Sequence, residues 1–185
     1  IMTQATVTDV SCYGATDGTV TLTTNGNSPP FNHMWSNGSG NQNLVDLAAG
    51  TYVVTITDFN GCMITETIIV DEPDQVVISA SSNSWICIGE TITLNASATG
   101  GVPGYSFAWN NGNGGASIQV NPLTTETFSV QATDNSGCMS NIEEIIVNVH
   151  DPINVLLEAD EYQVCAGEPV VLTAIAAGGN GMYTY

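Results

Sequence analysis

The chain has 185 residues and contains neither lysine nor arginine, while 18 Asp and Glu residues give it a formal net charge of −18. Binding to nucleic acid or to an anionic membrane depends on basic side chains that neutralise phosphate, so we expect neither partner. Enzymes that form a lysine Schiff base or clamp phosphate with arginine are excluded for the same reason. Only 10% of the residues are charged, so we expect a surface made mainly of Thr, Ser, Asn and Gly, which suits an exported protein.

Several other patterns are missing. No apolar run reaches the length of a membrane span, so we expect no membrane insertion of this segment. The first residues lack the basic and apolar regions of a signal peptide, and we expect both ends to be cuts through a longer polypeptide. Helical periodicity is nearly absent. The cysteines never form a CxxC pair and the two histidines lie far from them, which disfavours a zinc site.

The five cysteines instead follow a regular spacing. Cys12 and Cys62 lie 50 positions apart, Cys87 and Cys138 lie 51 apart, and Cys165 stands where a third pair would begin. A fixed period indicates an array of small domains, which often need a covalent staple. We therefore predict Cys12–Cys62 and Cys87–Cys138 disulfides, a partner for Cys165 outside this sequence, and an oxidising compartment. Free thiols or metal ligands are the alternative.

Short runs of Val, Ile, Thr and Tyr alternate with clusters of Gly, Asn, Asp and Pro, which predicts an all-β chain. About seven such runs per unit favour tandem immunoglobulin-like or PKD-like β-sandwich domains. We expect one sandwich over residues 1–72, a second over residues 73–151 and the first strands of a third over residues 152–185. Each predicted bridge would staple one end of its own sandwich. Short junctions that contain proline predict domains arranged as beads on a semi-rigid rod.

The tryptophans offer both a core and a binding interpretation. Trp35 and Trp109 occupy matching positions in the two units, and we expect them to pack in the sandwich cores. Sugar stacking on these rings is the alternative. Trp85 has no counterpart in the first unit, so it is the better candidate for an exposed contact.

Acidic residues occur in two settings. Asp58 and Asp134 begin matching hairpins, where Asx side chains cap the turn by accepting backbone hydrogen bonds. Asp71, Glu72 and Asp74 form a junction cluster that we expect to be solvated. Calcium binding by either group is the alternative, because carboxylate and carbonyl oxygens are its usual ligands. We otherwise expect no cofactor.

The remaining candidates are weaker. His33 and His150 are isolated from each other in sequence, and no arrangement of nucleophile, base and acid is evident, so we predict no catalytic residues. Asn37 and Asn95 each begin an Asn-x-Ser pattern that would accept an N-linked glycan. Such patterns also arise by chance in a chain rich in Asn and Ser, and O-linked glycans on exposed Thr and Ser are equally compatible.

Short stretches of both units carry a resemblance to known repeats. They are residues 9–12 (DVSC), 18–22 (GTVTL), 35–38 (WSNG), 47–52 (LAAGTY) and 57–62 (TDFNGC) in the first unit, and 87–91 (CIGET), 122–128 (PLTTETF) and 134–138 (DNSGC) in the second. On these stretches the first unit resembles the SprB repeat, found in very large surface adhesins of gliding Bacteroidota. The second unit is more similar to the PKD-like or Ig-like repeats that accompany it. The resemblance implies export, often by type IX secretion, and a role at the cell surface in adhesion, gliding motility or fibre formation.

These observations favour a non-enzymatic structural or adhesive segment of a large extracellular adhesin or filament. The alternative is a carbohydrate-binding module array of a secreted enzyme, which a row of exposed aromatic rings would favour. An enzyme proper is the third hypothesis. The expected partners are neighbouring repeats or other copies in a fibre, and surface polysaccharide. We expect the third unit to be completed either by further chain or by strands donated from a neighbour.

Overall fold

A computed structural model of the chain describes residues 1–184, and Tyr185 of the predicted third unit lies outside the described residues. The described residues form fifteen strands, β1 to β15. Residues 1–184 include no helix, and hence no helix with the length and apolar character needed to cross a membrane. The all-β prediction and the tandem β-sandwich fold class are confirmed.

The first repeat forms two three-stranded sheets that face each other. One sheet has the order β1-β2-β4 and the other the order β3-β5-β6. The β1–β2, β2–β4, β3–β5 and β5–β6 pairs are all antiparallel. The strands are β1 Met2–Thr8, β2 Gly18–Asn25, β3 Asn32–Trp35, β4 Leu44–Leu47, β5 Gly50–Thr57 and β6 Met63–Val70.

Alternation of apolar and polar side chains explains these strands. In β5, Val54 and Ile56 are fully buried while Thr55 between them is only half-buried, as the two-residue period of a strand requires. Buried residues from both sheets form one core, so the sheets pack face to face. Its members are Val10, Val20, Leu22, Trp35, Leu44, Leu47, Val54, Ile56, Ile68 and Val70.

The second repeat is also built from two sheets, with the orders β11-β9-β7 and β10-β12-β13-β8. Strand β8 runs parallel to β13, pairing Cys87 with His150. Buried apolar residues again alternate along β9, β12 and β13. The strands are β7 Val77–Ala80, β8 Ser84–Cys87, β9 Ile92–Thr99, β10 Ser106–Trp109, β11 Ser117–Val120, β12 Glu126–Thr133 and β13 Met139–His150.

The third repeat contributes an antiparallel pair, β14 Asn154–Ala159 and β15 Leu172–Ala177. Its apolar side chains are exposed on both faces of the pair. Leu157 on one face and Leu156 on the other, for example, are 69% and 56% exposed. A two-stranded ribbon of this kind does not bury enough surface to be stable alone.

By internal contacts the chain divides into two compact units. Unit 1 is Ile1–Ile78, Ala98–Ser106 and Ala132–Asn141. Unit 2 is Ser79–Ser97, Phe107–Gln131 and Ile142–Tyr185. Unit 1 therefore contains the whole first repeat together with three segments of the second, residues 73–78, 98–106 and 132–141.

Candidate functional site

Each repeat presents its first cysteine at the start of a tight turn. The carbonyl of Cys12 accepts a hydrogen bond from Ala15 N at 3.0 Å, and the carbonyls of Cys87 and Cys165 each accept one from the residue three positions later at 3.1 Å. The third residue of every turn is a glycine with positive φ, between 72° and 94°, a conformation that favours glycine. The three cysteines are therefore structurally equivalent, and we call them the turn cysteines.

The second cysteine of the first two repeats closes a hairpin that an aspartate caps. Asp58 Oδ1 accepts hydrogen bonds from the backbone N–H of Asn60 and of Cys62, both at 2.9 Å. Asp134 Oδ1 accepts the equivalent bonds from Ser136 at 2.9 Å and Cys138 at 2.8 Å. The predicted Asx capping of both hairpins is confirmed. We call Cys62 and Cys138 the hairpin cysteines.

The disulfide joins a turn cysteine of one repeat to the hairpin cysteine of the next. Cys12 is bonded to Cys138 with a Cα–Cα distance of 5.6 Å and a sequence separation of 126, and both residues lie in unit 1. The sulfur of Cys138 also lies 3.3 Å from the Ser11 carbonyl. Bonding between repeats replaces the expected stapling within each sandwich.

The predicted Cys12–Cys62 and Cys87–Cys138 bridges are therefore wrong. Cys62 and Cys87 are free and exposed, and so is Cys165. The physical reason is that a repeat places equivalent cysteines at equal spacings, whether they pair within one repeat or between successive repeats. The tertiary fold brings the Asp134 hairpin, not the Asp58 hairpin, to the turn that carries Cys12.

A double-glycine loop holds the Asp134 hairpin in place. Asp134 is 5% exposed, and its Oδ2 accepts a hydrogen bond from Val102 N at 2.8 Å. That bond, with those from the backbone of the hairpin itself, holds the pKa of Asp134 below its ordinary value, although burial opposes the shift. A Cβ at Gly101 would lie 2.3 Å from the carboxylate. The loop thus approaches the capped hairpin too closely for any side chain at this position.

The same loop is anchored to the junction that precedes the second repeat. Gly101 N donates to the Asp74 carbonyl at 2.8 Å, and a Cβ at Gly100 would lie 1.9 Å from the Gln75 carbonyl oxygen. Tyr105 OH donates to the Gly100 carbonyl at 2.6 Å. Sequence reasoning placed a loop here but did not give it this role. The signal was a Gly-Gly pair with a tyrosine five positions after its first glycine, which recurs at 178–183.

Two of the junction acids make hydrogen bonds with the first turn region, Glu72 through its side chain and Asp71 through its backbone N–H. Glu72 Oε2 accepts a hydrogen bond from Gly14 N at 2.8 Å, and Asp71 N donates to Asp9 Oδ1 at 2.9 Å. Asp71, Glu72 and Asp74 are all exposed. Within residues 1–184, no group of three or more His, Cys, Asp or Glu side chains is arranged to hold a metal ion. Calcium binding at these residues, or at Asp58 and Asp134, stays an alternative of the sequence analysis.

The two matching tryptophans are buried, as predicted for core residues. Trp35 and Trp109 are 2% and 4% exposed. Each indole N–H donates to a backbone carbonyl six residues further on, Asn41 at 2.7 Å and Gly115 at 3.0 Å. These bonds tie the loop after the strand to the ring that anchors it.

Trp85 differs from both. It is 64% exposed and stacks on His150 with a centroid separation of 4.5 Å, so its predicted exposure is confirmed. His33 is buried in β3, and its Nε2 lies 3.0 Å from Thr24 Oγ1. Burial lowers the pKa of His33 from its ordinary value. The two histidines thus lie in different surroundings.

The two Asn-x-Ser positions are exposed. Asn37 lies in the turn after β3, where its Oδ1 accepts a hydrogen bond from Ser39 N at 3.1 Å. Asn95 lies in β9, and its backbone bonds to Ser81. Glycosylation of either residue stays a prediction.

Several solved structures resemble the chain at low identity. The fibronectin(III)-like modules of Clostridium thermocellum CbhA are 13% identical, with 81% of this chain and 95% of theirs covered and a TM-score of 0.38. The Dpr2 Ig1-Ig2 complex with DIP-Theta Ig1-Ig3 is 14% identical, covering 85% and 70%, with a TM-score of 0.34. The amphioxus IgVJ-C2 molecule is 13% identical, covering 78% and 96%, with a TM-score of 0.32.

No curated protein matches the chain. The family model of the SprB repeat matches residues 4–40 and residues 86–114. The first segment includes the Cys12 turn and Trp35, and the second includes the Cys87 turn and Trp109. The resemblance to the SprB repeat, stated above for the first repeat, thus extends into the second repeat. The sequence analysis had compared the second repeat with PKD-like repeats. The SprB-repeat model thus has a matched segment in each of the first two repeats.

Proposed function

We propose that this chain is a non-enzymatic structural and adhesive segment of a large secreted cell-surface adhesin or extracellular filament. The observation that carries the proposal is the Cys12–Cys138 disulfide, which joins successive repeats covalently. Such a bond persists in oxidising surroundings, which supports an extracellular location. A pulling force on the chain ends passes through the bridge, so the residues between the two cysteines are not extended.

The surface chemistry supports the same role. A net charge of −18 with no basic residue makes copies of the chain repel each other and keeps an extended polypeptide soluble. The SprB-repeat match adds the expectation of type IX secretion and of a part in gliding motility in Bacteroidota.

Burial of Trp35 and Trp109 speaks against the alternative of a carbohydrate-binding module array, because rings inside a core offer no face to a sugar. Trp85 keeps a narrower form of that alternative testable, since it is exposed and stacked on His150. Glycan binding that Trp85→Ala abolishes would favour carbohydrate recognition. Attachment that persists in this variant would favour a structural role.

The cellular test compares a strain that produces the protein with a strain in which the coding sequence of this segment is deleted in frame. We expect the deletion, or Fab fragments raised against residues 1–185, to reduce surface attachment and spreading several-fold. Labelled Fab should stain intact cells without permeabilisation. Staining confined to permeabilised cells, or unchanged attachment and spreading, would overturn the proposal.

The mechanical test stretches the chain by its ends in a single-molecule instrument. The bridge encloses 126 positions, and an extended chain spans at most about 3.3–3.6 Å per residue. Reduction should therefore release about 430 Å of additional contour length. Cys62→Ser serves as the matched control, because its thiol is free, and should leave this increment unchanged. A chain that extends equally before and after reduction would contradict a bridge through which the force passes.

A further inference from the structure

Cys87 occupies the same structural position in the second repeat as Cys12 does in the first. In both turns the cysteine carbonyl accepts a hydrogen bond from the residue three positions later, at 3.0 Å for Cys12 and 3.1 Å for Cys87. Both turns have a glycine with positive φ at the third residue, at 72° and 87°. The Cys12 sulfur is bonded to the next repeat, whereas the Cys87 thiol is free and exposed.

The third repeat presents the loop that holds a hairpin cysteine in the second. Gly179 N donates to the Asp151 carbonyl at 2.8 Å, which matches the bond from Gly101 N to the Asp74 carbonyl. A Cβ at Gly178 would lie 2.1 Å from the Pro152 carbonyl oxygen, as one at Gly100 would from Gln75. Tyr183 OH donates to the Gly178 carbonyl, as Tyr105 OH does to Gly100. The double-glycine loop of the third repeat thus makes the same three contacts as that of the second.

The residues of the third repeat that correspond to those holding the capped hairpin line a cavity. In the second repeat, Asp134 packs on Gly101 and accepts from Val102 N, and this seats Cys138 against the Cys12 turn. In the third repeat, Gly179 corresponds to Gly101 and Asn180 corresponds to Val102. Together with Cys87 and Ile88, these two residues line a cavity of about 450 Å³. A hairpin seated there in the same way would bring its cysteine to Cys87.

We propose that Cys87 forms a second inter-repeat disulfide, with the hairpin cysteine of a complete third repeat. The rule would be that each turn cysteine bonds the hairpin cysteine of the next repeat. By the same rule, Cys62 receives a turn cysteine from a preceding repeat, and Cys165 bonds the hairpin cysteine of a following one. The result is a chain of repeats in which every neighbouring pair is covalently joined.

The bond forms by thiol–disulfide exchange with a small disulfide oxidant such as oxidised glutathione. The Cys87 thiol and the hairpin thiol each lose a proton and one electron, and one S–S bond forms between them. The oxidant takes up both electrons and both protons, and its own S–S bond breaks to give two thiols. The inference concerns covalent assembly and does not depend on adhesion, so either can fail without the other.

The test maps disulfides in the native full-length polypeptide, with free thiols alkylated first and digestion by pepsin at acid pH to prevent exchange. We expect the Cys87 peptide to be linked to a peptide from the third-repeat hairpin, which should follow Cys165 by about the 51 positions that separate Cys87 from Cys138. Alkylated Cys87, or Cys87 linked to any other cysteine, would overturn the proposal. So would a third repeat without a hairpin cysteine.

A variant separates the bond from general misfolding. Cys87→Ser should convert the third-repeat hairpin cysteine from linked to fully alkylated. The Cys12–Cys138 link, read in the same map, reports whether the first two repeats have folded. A hairpin cysteine that stays linked in this variant has a different partner, and the proposed rule would then be wrong.

Discussion

The pairing of Cys12 with Cys138 leads to a proteolysis experiment that the composition of the chain makes unusually clean. Because the chain has no lysine or arginine, a single substitution, Asp74→Arg, creates its one tryptic site, between the first and second repeats. Asp74 is exposed, and its structural contact is made by its backbone carbonyl, so the fold should tolerate the change. Trypsin would then produce fragments 1–74 and 75–185.

The disulfide decides whether these fragments separate. With free thiols alkylated before denaturation in urea, the cut chain should remain one species near 19.3 kDa by mass spectrometry and part into two only on reduction. In the Asp74→Arg background, Cys138→Ser should release the fragments without reductant, whereas Cys62→Ser should not. Fragments that part without reductant in the Asp74→Arg chain itself would refute the inter-repeat pairing and favour bridges within each repeat.

Stability gives a second measure of the same bond. Closing a loop of 126 residues stabilises the folded chain by about 4.9 kcal/mol in the chain-entropy model, against about 4.1 kcal/mol for a 50-residue loop. The stabilisation expected from the Cys12–Cys138 bond and that expected from a Cys12–Cys62 bond are thus too similar to be told apart by a single unfolding curve. The pattern of substitutions does separate them. Cys138→Ser should lower the unfolding free energy by up to about 5 kcal/mol, and Cys62→Ser by less than about 0.5 kcal/mol, as read from urea unfolding.

Three further predictions concern the loop, the core and pH. Gly100→Ala and Gly112→Ala both place a side chain at positive φ, 78° and 81°, which costs about 1–2 kcal/mol. Of the two, only the new Cβ at Gly100 would also meet a backbone oxygen. Calorimetry should therefore show a larger loss of stability for Gly100→Ala, and equal losses in the two variants would contradict the loop contact. Trp35→Ala should cost about 3–5 kcal/mol in urea unfolding, but Trp85→Ala only the ring stacking, about 0.5–1.5 kcal/mol; the reverse order would contradict the assigned core. Because burial lowers the pKa of His33 from 6.5, the unfolded chain binds the proton more readily and the unfolding free energy should fall as pH drops below 6.5. His33→Gln should remove that slope between about pH 7 and pH 5, and an unchanged slope would assign it to another group.

Local structure was largely predictable from the sequence. Strands such as Leu44–Leu47, Met63–Val70 and Ser117–Val120 lie in short runs bounded by turn residues, which is the pattern that predicted an all-β chain. Asx capping at Asp58 and Asp134 was also predicted, because a side chain that bonds to residues two and four positions later depends only on neighbouring chain. Interactions of short range leave a direct trace in sequence.

The candidate site was predicted only in its components. The sequence analysis correctly expected a disulfide among these cysteines, but it paired Cys12 and Cys138 with the wrong partners. The role of the double-glycine loop was missed, because close approach of Gly100 and Gly101 to the junction and to Asp134 involves residues distant in sequence. A Gly-Gly pair alone predicts only a loop.

The sequence by itself determined the repeat, the all-β class, the absence of basic side chains and the two kinds of cysteine. Those features follow from local periodicity, composition and spacing. Only the tertiary structure decided that Cys12 bonds Cys138 and leaves Cys62 free. In a repeat protein, a turn cysteine can pair with the hairpin cysteine of its own repeat or with the equivalent one of the next repeat. The choice depends on which hairpin the fold places against the turn.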